Sequence, residues 1–114
     1  MADQLQLQSL VTEAGTLELS LARVPLPEPG DDEVLVKVEA SPINPSDLGL
    51  LFGMADMSNA QSGGTTEMPT VSAEIPEKYR SKVAARVGQA MPVGNEGGGV
   101  VVDGGLATKA ALEA

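Results

Sequence analysis

Asn44 and Asp47 stand three residues apart in the stretch ASPINPSDLGLLFG, residues 40 to 53, directly after a valine-rich run. They are the best polar pair in an otherwise apolar neighbourhood, which makes them a candidate site for a small molecule. The same spacing also suits the start of a helix, where Asn44 caps the helix, Asp47 reaches back to it and no substrate is needed. The residues alone leave both interpretations open.

The prolines of this stretch indicate how its backbone runs. Pro42 and Pro45 lack the N–H that a strand ladder needs, so the preceding strand ends before them. Pro45 suits the first position of a helix that Asn44 caps and Gly53 ends. We therefore expect a strand end, a tight turn and one or two helical turns.

A glycine cluster, GNEGGG at residues 94 to 99, is the second candidate, and it stands directly before Val100, Val101 and Val102. It fits neither G-x-G-x-x-G nor G-x-x-x-x-G-K-[ST], and it precedes a strand, whereas a phosphate loop follows one. We interpret the glycines as positions where another segment or a ligand approaches the backbone closely. The three valines predict a short buried strand.

Residues 76 to 89 carry four of the seven basic residues: Lys78, Arg80, Lys82 and Arg86. Tyr79, Val83 and Val87 recur at every fourth position, which predicts an amphipathic helix. The basic residues then form its solvated face, the alternative being a contact with a phosphorylated cofactor or an acidic surface.

The composition excludes several kinds of chemistry. The chain has no Cys and no His, so it forms no disulfide, no Cys/His zinc site and no Ser-His or Cys-His pair. Proton transfer is left to Asp, Glu, Lys, the single Tyr79 or a cofactor. The net charge of -9 argues against nucleic acid and anionic membrane as partners. Without a visible span or secretory signal, we expect a cytoplasmic protein.

The remaining patterns predict a mainly β (α+β) fold. Residues 4 to 11 and 16 to 22 alternate apolar and polar side chains and predict an antiparallel hairpin. Residues 25 to 33 predict an exposed connection, and residues 33 to 40 a strand with Val34, Val36 and Val38 on one face. The polar stretch 54 to 73 predicts a mobile loop, and the tail LATKAALEA has helical propensity.

The order PxPxPGDDEVLVKVEASPINPSD followed by PVGNEGGGVVV resembles the N-terminal, GroES-like catalytic domain of the medium-chain dehydrogenase/reductase superfamily. Within it, the zinc-independent quinone oxidoreductase branch is most similar. The resemblance covers residues 14 to 103 and implies a partly open β-barrel with short helices. Residues 1 to 114 then form one catalytic domain, with a loop-helix insertion at 54 to 91.

The resemblance also implies a chemistry. Zinc-dependent relatives carry a Cys and a His where this chain has Asn44 and Asn95, so we expect no zinc. It implies hydride transfer from NADPH to a quinone or an enone, with catalytic roles for Asn44 and Asp47 and with Asn44 near the nicotinamide. Because the cofactor supplies the hydride, the protein need only orient the partners and exclude water.

Two departures bear on this assignment. A Tyr common in the branch two residues after the Asp is Gly49 here, and Tyr79 on the insertion is a candidate substrate-contacting replacement. No Rossmann fingerprint occurs in the sequence, so we expect part of a longer enzyme, one able to form homo-oligomers, that is inactive and without appreciable NADPH affinity alone. The alternatives are a stand-alone GroES-like interaction module and, third, a chaperonin-like ring subunit.

Overall fold

The structure is a computed structural model that describes residues 3–94 and 96–105. It is mainly β, as predicted, with two antiparallel sheets and short helical segments. The strands are β1 (Asp3–Val11), β2 (Thr16–Pro25), β3 (Val34–Ala40), β4 (Gln61–Gly64), β5 (Pro69–Glu74), β6 (Met91–Pro92) and β7 (Gly98–Gly104). The helices are α1 (Pro45–Leu51) and α2 (Glu77–Arg80), with 3-10 turns at Met57–Asn59 and Ser81–Arg86. Asn95 and the predicted helical tail at 106–114 lie outside the described residues.

The predicted N-terminal hairpin is confirmed. Strands β1 and β2 pair antiparallel over their whole lengths, from Asp3 opposite Pro25 to Val11 opposite Leu17. The turn between them closes with a hydrogen bond from the Gly15 N–H to the Thr12 carbonyl, at 3.0 Å. Gly15 has a φ of +85°, a conformation that glycine adopts without steric cost. The Arg80 guanidinium also packs directly over it, where a Cβ would clash.

The prediction of a mobile loop at 54 to 73 is wrong. Most of this stretch forms a hairpin, β4 and β5, which extends the main sheet to the order β4-β5-β2-β1-β6. Ala73 pairs with Leu17 and is buried, whereas the β4 side chains are exposed. The polar composition hid the hairpin because an edge strand obtains its hydrogen bonds from the neighbouring backbone and needs few apolar side chains.

The amphipathic helix predicted at 76 to 89 is only partly present. One α-helical turn at Glu77–Arg80 passes into the 3-10 turn Ser81–Arg86. Val87 is already extended, with φ -58° and ψ 128°, and forms a bridge to Val11. The apolar face itself is confirmed, because Tyr79, Val83 and Val87 pack against the core. That bridge to β1 ends the helix early.

The core is small and lies on one side of the main sheet. Its buried members are Val11 at the end of β1, Leu17 near the start of β2 and Ile75 directly after β5. Ala55 packs against this cluster together with the apolar face of the segment at 76 to 89. Burial of these side chains contributes hydrophobic free energy that holds the hairpins and the helical segment together.

Strands β3 and β7 form a separate two-stranded sheet, here called the valine ribbon (residues 34–40 and 98–104). Both strands were predicted, but the predicted burial of Val100–Val102 is wrong. Val38, Val100 and Val102 are 59%, 56% and 56% exposed, because no second layer of described residues covers them. The two sheets do not close into a barrel within residues 3–94 and 96–105. None of the helices described is long and apolar enough to span a bilayer.

Candidate functional site

The turn that leaves β3 holds Asn44 and Asp47 at the head of α1. Asn44 is the N-cap with extended backbone (φ -92°, ψ 158°), and Pro45 begins the helix. The Asp47 carboxylate accepts a hydrogen bond from the Asn44 N–H at 2.8 Å and is 4% exposed. The predicted capping box is therefore present. Asp47 Oδ2 is the carboxylate oxygen that accepts this hydrogen bond.

Within the capping box, the interaction made by the Asn44 side chain is the weaker one. The Asp47 N–H lies 2.9 Å from the Asn44 backbone carbonyl, so the Asn44 side chain is not its main acceptor. That side chain is half-buried at the surface end of the turn. The amide of Asn44 thus has hydrogen-bonding capacity for a ligand, whereas Asp47 acts through the turn that it holds. A direct catalytic role for Asp47 stays a prediction.

The structure brings the two sequence motifs together. The Ser41 hydroxyl, in the turn after β3, donates a hydrogen bond to the Glu96 carbonyl at 2.7 Å. A Cβ on Gly97 would lie 3.0 Å from Val38 Cγ1, and one on Gly99 would collide with the Lys37 carbonyl. The prediction of close backbone approach at the glycine cluster is confirmed at these two positions. The approaching segment is β3 with its following turn.

A second set of hydrogen bonds fixes the C-terminal end of α1. Ser9, fully buried in β1, donates to the Leu50 carbonyl at 2.6 Å and accepts from Arg86 Nη2 at 3.0 Å. The Arg86 Nε is buried without a partner among the described residues. A cation at the C-terminal end of a helix complements the helix dipole. This link could not be predicted from the sequence, because Ser9 is 41 positions from Leu50 and 77 positions from Arg86.

The basic residues at 78 to 86 do not form one solvated face. Arg86 points inward to Ser9, and Arg80 donates to the Ile75 carbonyl at 3.2 Å. Lys78 and Lys82 remain outside and lie 5.0 and 5.7 Å from the centre of the Tyr79 ring. Two of the four cations therefore hold the turn and the sheet together, which contradicts the interpretation of the run as wholly solvated.

Tyr79, the predicted substrate contact, packs against the core cluster of Val11, Leu17 and Ile75. Its ring also carries the two lysine contacts described above. The turn with Asn44 instead adjoins the glycine cluster through Ser41 and Glu96. These contacts give Tyr79 a structural role. A contact between Tyr79 and substrate stays a prediction.

Two concavities lie away from this turn. A groove of about 490 Å³ between the start of β1 and the valine ribbon is mostly apolar, and its lining includes Leu5, Leu26 and Val36. An open, polar concavity of about 700 Å³ lies beside β4 and β5, with Gln61 and Glu74 in its lining. Asn44 and Asp47 line neither of them.

Asp56 is the residue with a distinctly shifted pKa among those described. The Ser58 hydroxyl, followed by the Ser58 backbone N–H, holds the pKa of this carboxyl below its ordinary value of 3.8. Asp56 therefore stays ionised at neutral pH as the cap of the 3-10 turn at Met57–Asn59. It offers no proton for acid catalysis near pH 7.

A scan against protein-family models finds no match to this chain, and a search of curated proteins finds no significant relative. The described residues also contain no group of three or more Asp or Glu side chains placed to hold a metal ion.

The capping geometry predicts unequal effects for the two polar residues of the turn. Asp47→Ala removes a buried, charge-assisted hydrogen bond and is expected to lower the free energy of unfolding by about 1–3 kcal/mol. Asn44→Ala is expected to cost less than about 1 kcal/mol, because its side chain is the lesser partner in the cap. Urea unfolding followed by circular dichroism measures both. Equal losses would contradict this description of the turn.

Proposed function

We propose that this chain provides the GroES-like, substrate-side wall of a zinc-independent, NADPH-dependent reductase of quinones or enones in the cytoplasm. The observation that carries the proposal is the hydrogen bond from Ser41 to the Glu96 carbonyl. It joins the two motifs on which the resemblance rests, although they are about 50 residues apart in sequence. In this proposal the two motifs act as one surface, and Asn44 follows Ser41 by three residues.

The Asn44 amide and the exposed apolar side chains in and beside α1 suit a flat ring that carries a carbonyl oxygen. Leu48 in α1 and Phe52, the C-cap that follows the helix, are 43% and 45% exposed, and Ile43 is 74% exposed. These apolar side chains would contact the ring, and the Asn44 amide would donate a hydrogen bond to the carbonyl oxygen. Gly49 leaves open space where branch members carry a Tyr, since a Cβ there would meet nothing within 4 Å.

The described residues do not fit a complete NADPH site. A dinucleotide needs a glycine-rich turn between a strand and a helix N-terminus, whereas here the glycine cluster leads into β7. In this proposal the phosphates and the adenosine therefore bind outside residues 3–94 and 96–105. In the proposal, Asn44 faces the nicotinamide and the substrate, and Asp47 keeps the turn in shape. When bound, NADPH supplies the hydride.

A calorimetric titration tests the proposal with duroquinone, a quinone that the methyl groups protect from addition reactions. Wild-type protein is expected to bind it weakly, with a Kd of roughly 0.1–1 mM, because only one wall is present. Asn44→Ala is expected to weaken binding about tenfold through the lost hydrogen bond. Gln89→Ala, a control amide in the exposed segment after the 3-10 turn, is expected to change nothing.

NADPH serves as the second ligand in the same experiment, and no heat of binding is expected up to millimolar concentration. Micromolar NADPH affinity for this chain would overturn the assignment of the dinucleotide site to another domain. Duroquinone binding that is equal in Asn44→Ala and Gln89→Ala would remove Asn44 from the proposed site.

The second candidate is a GroES-like interaction module without catalytic activity. The exposed valine ribbon favours it, because contiguous apolar surface on soluble proteins commonly marks a contact with another protein. The calorimetric titration with duroquinone distinguishes the two candidate functions. A pure interaction module has no reason to bind duroquinone through Asn44.

A further inference from the structure

The valine ribbon has the exposed edges and apolar side chains of an incomplete sheet. A two-stranded sheet is marginally stable in water, and this one leaves Val100, Val101 and Val102 about half exposed, at 56%, 48% and 56%. Half of the backbone N–H and C=O groups of each strand point away from the partner strand. An added strand would satisfy those groups and place its own side chains beside the valines.

The two described sheets offer four edge strands for such pairing, namely β3, β4, β6 and β7. Strand β4, with the sequence QSGG, has no apolar side chain to bury. Strand β6 has two residues, one of them proline. The valine ribbon therefore holds the two edges that can bury apolar surface.

Charge distinguishes the two edges of the ribbon. If β3 (34–40) paired antiparallel with a copy of itself, Lys37 at its midpoint would face the partner's Lys37. Like charges directly opposite each other destabilise a sheet. The midpoint of β7 (98–104) is Val101, and the same symmetry places Val100 opposite the partner's Val102 and Asp103 opposite the partner's Gly99. Val102 is the extra residue of a bulge against β3. The residues that face each other across the two β7 strands are then valines, glycines and Asp103, which lies opposite a glycine.

We propose that two copies of this chain associate through β7, antiparallel about a two-fold axis at Val101. The result is a continuous four-stranded sheet in the order β3-β7-β7-β3. The interface is isologous, so each chain contributes the same surface. Association adds a ladder of backbone hydrogen bonds and packs β-branched side chains against each other, which favours strand pairing. The inference is independent of the proposed reductase role.

The net charge of -9 per chain opposes this association. Repulsion between two acidic chains is screened at high ionic strength, where the Debye length falls to about 3 Å at 1 M salt. Self-association is therefore expected to strengthen as salt is added. An interface held by ion pairs would weaken instead.

Size-exclusion chromatography with light scattering tests the proposal on the 114-residue chain. Between about 10 µM and 1 mM protein, the mean mass is expected to rise from 11.6 kDa towards twice that value, and further in 0.5 M than in 0.05 M salt. Val101→Lys places two cations at the axis and is expected to keep the protein monomeric. Val71→Lys adds the same charge at an exposed β5 position and is expected to dimerise as wild type does.

A pair of charge substitutions tests the register between the two β7 strands, even if Val101→Lys also destabilises the valine ribbon. V100K alone is expected to weaken association at least tenfold. V100K/V102E sets each new lysine opposite a new glutamate of the other chain and is expected to restore dimers. A wild-type mass of one chain at all concentrations and salts would overturn the proposal. Dimers unaffected by Val101→Lys, or no rescue in V100K/V102E, would overturn it as well.

Discussion

Ile75→Ala is expected to lower the free energy of unfolding by about 2–4 kcal/mol. Ile75 is 1% exposed and lies in the cluster with Val11 and Leu17. Its truncation removes buried methyl groups and leaves a cavity, and large-to-small changes in a core cost about 2–5 kcal/mol. With so few fully buried apolar side chains described, this loss is a large share of the 5–15 kcal/mol that typically stabilises a domain.

The chain offers a control with the same chemical change. Ile43 is 74% exposed in the turn before α1, so Ile43→Ala is expected to change the free energy of unfolding by less than about 0.5 kcal/mol. Urea unfolding followed by far-ultraviolet circular dichroism compares the two variants. If both lose the same stability, the core does not lie at the ends of β1, β2 and β5.

Gly99→Ala is the second change with a large expected effect, and it acts on the valine ribbon. A Cβ at this position would overlap the Lys37 carbonyl on the paired strand, so β3 and β7 cannot keep their spacing. Backbone shifts forced by added methyl groups cost about 1–3 kcal/mol. Because the ribbon is a separate sheet, much of this cost is expected as local opening rather than global unfolding.

Hydrogen exchange followed by mass spectrometry measures that opening at residues 34–40 and 98–104. In Gly99→Ala these amides are expected to exchange at least tenfold faster, while those of β1 and β2 are unchanged. Gly98→Ala is the matched control, because a Cβ on Gly98 meets nothing within 4 Å. Similar exchange in the two variants would show that Gly99 is not a position of close approach.

The local elements of this fold could be predicted where side chains alternate or turn residues stand. The leucines of 4–11 and 16–22 predicted the hairpin β1-β2, and the prolines with Asn44 and Asp47 predicted α1 and its capping box. Both depend on interactions within a few residues, which a sequence records directly. The ends of β3 could be predicted for the same reason, because neighbouring residues determine them.

The errors concern interactions between distant residues. The hairpin of β4 and β5 owes its order to pairing with β2, which nothing in its own polar composition shows. The segment at 76 to 89 ends its helix early because Val87 pairs with Val11. The valines of β7 were expected to be buried, but burial requires a covering layer that a strand pattern does not specify.

The candidate site was predictable in part. Asn44 and Asp47 were chosen from type and spacing, yet their division of roles, with Asp47 engaged in the cap, needed the geometry. The contact of Ser41 with Glu96 could not be predicted without the pairing of β3 with β7. The inward turn of Arg86 towards Ser9 was likewise hidden by its place in a basic run.

The most direct test of the proposed substrate wall is a map of amide chemical shifts in nitrogen-15 labelled protein titrated with duroquinone. The proposal predicts that shifts concentrate at residues 41–48 and 96–99, the two segments that Ser41 and Glu96 join, and that they become several-fold smaller in Asn44→Ala at the same duroquinone concentration. Shifts confined to the apolar groove around Leu5, Leu26 and Val36 would contradict it. So would a spectrum that duroquinone leaves unchanged.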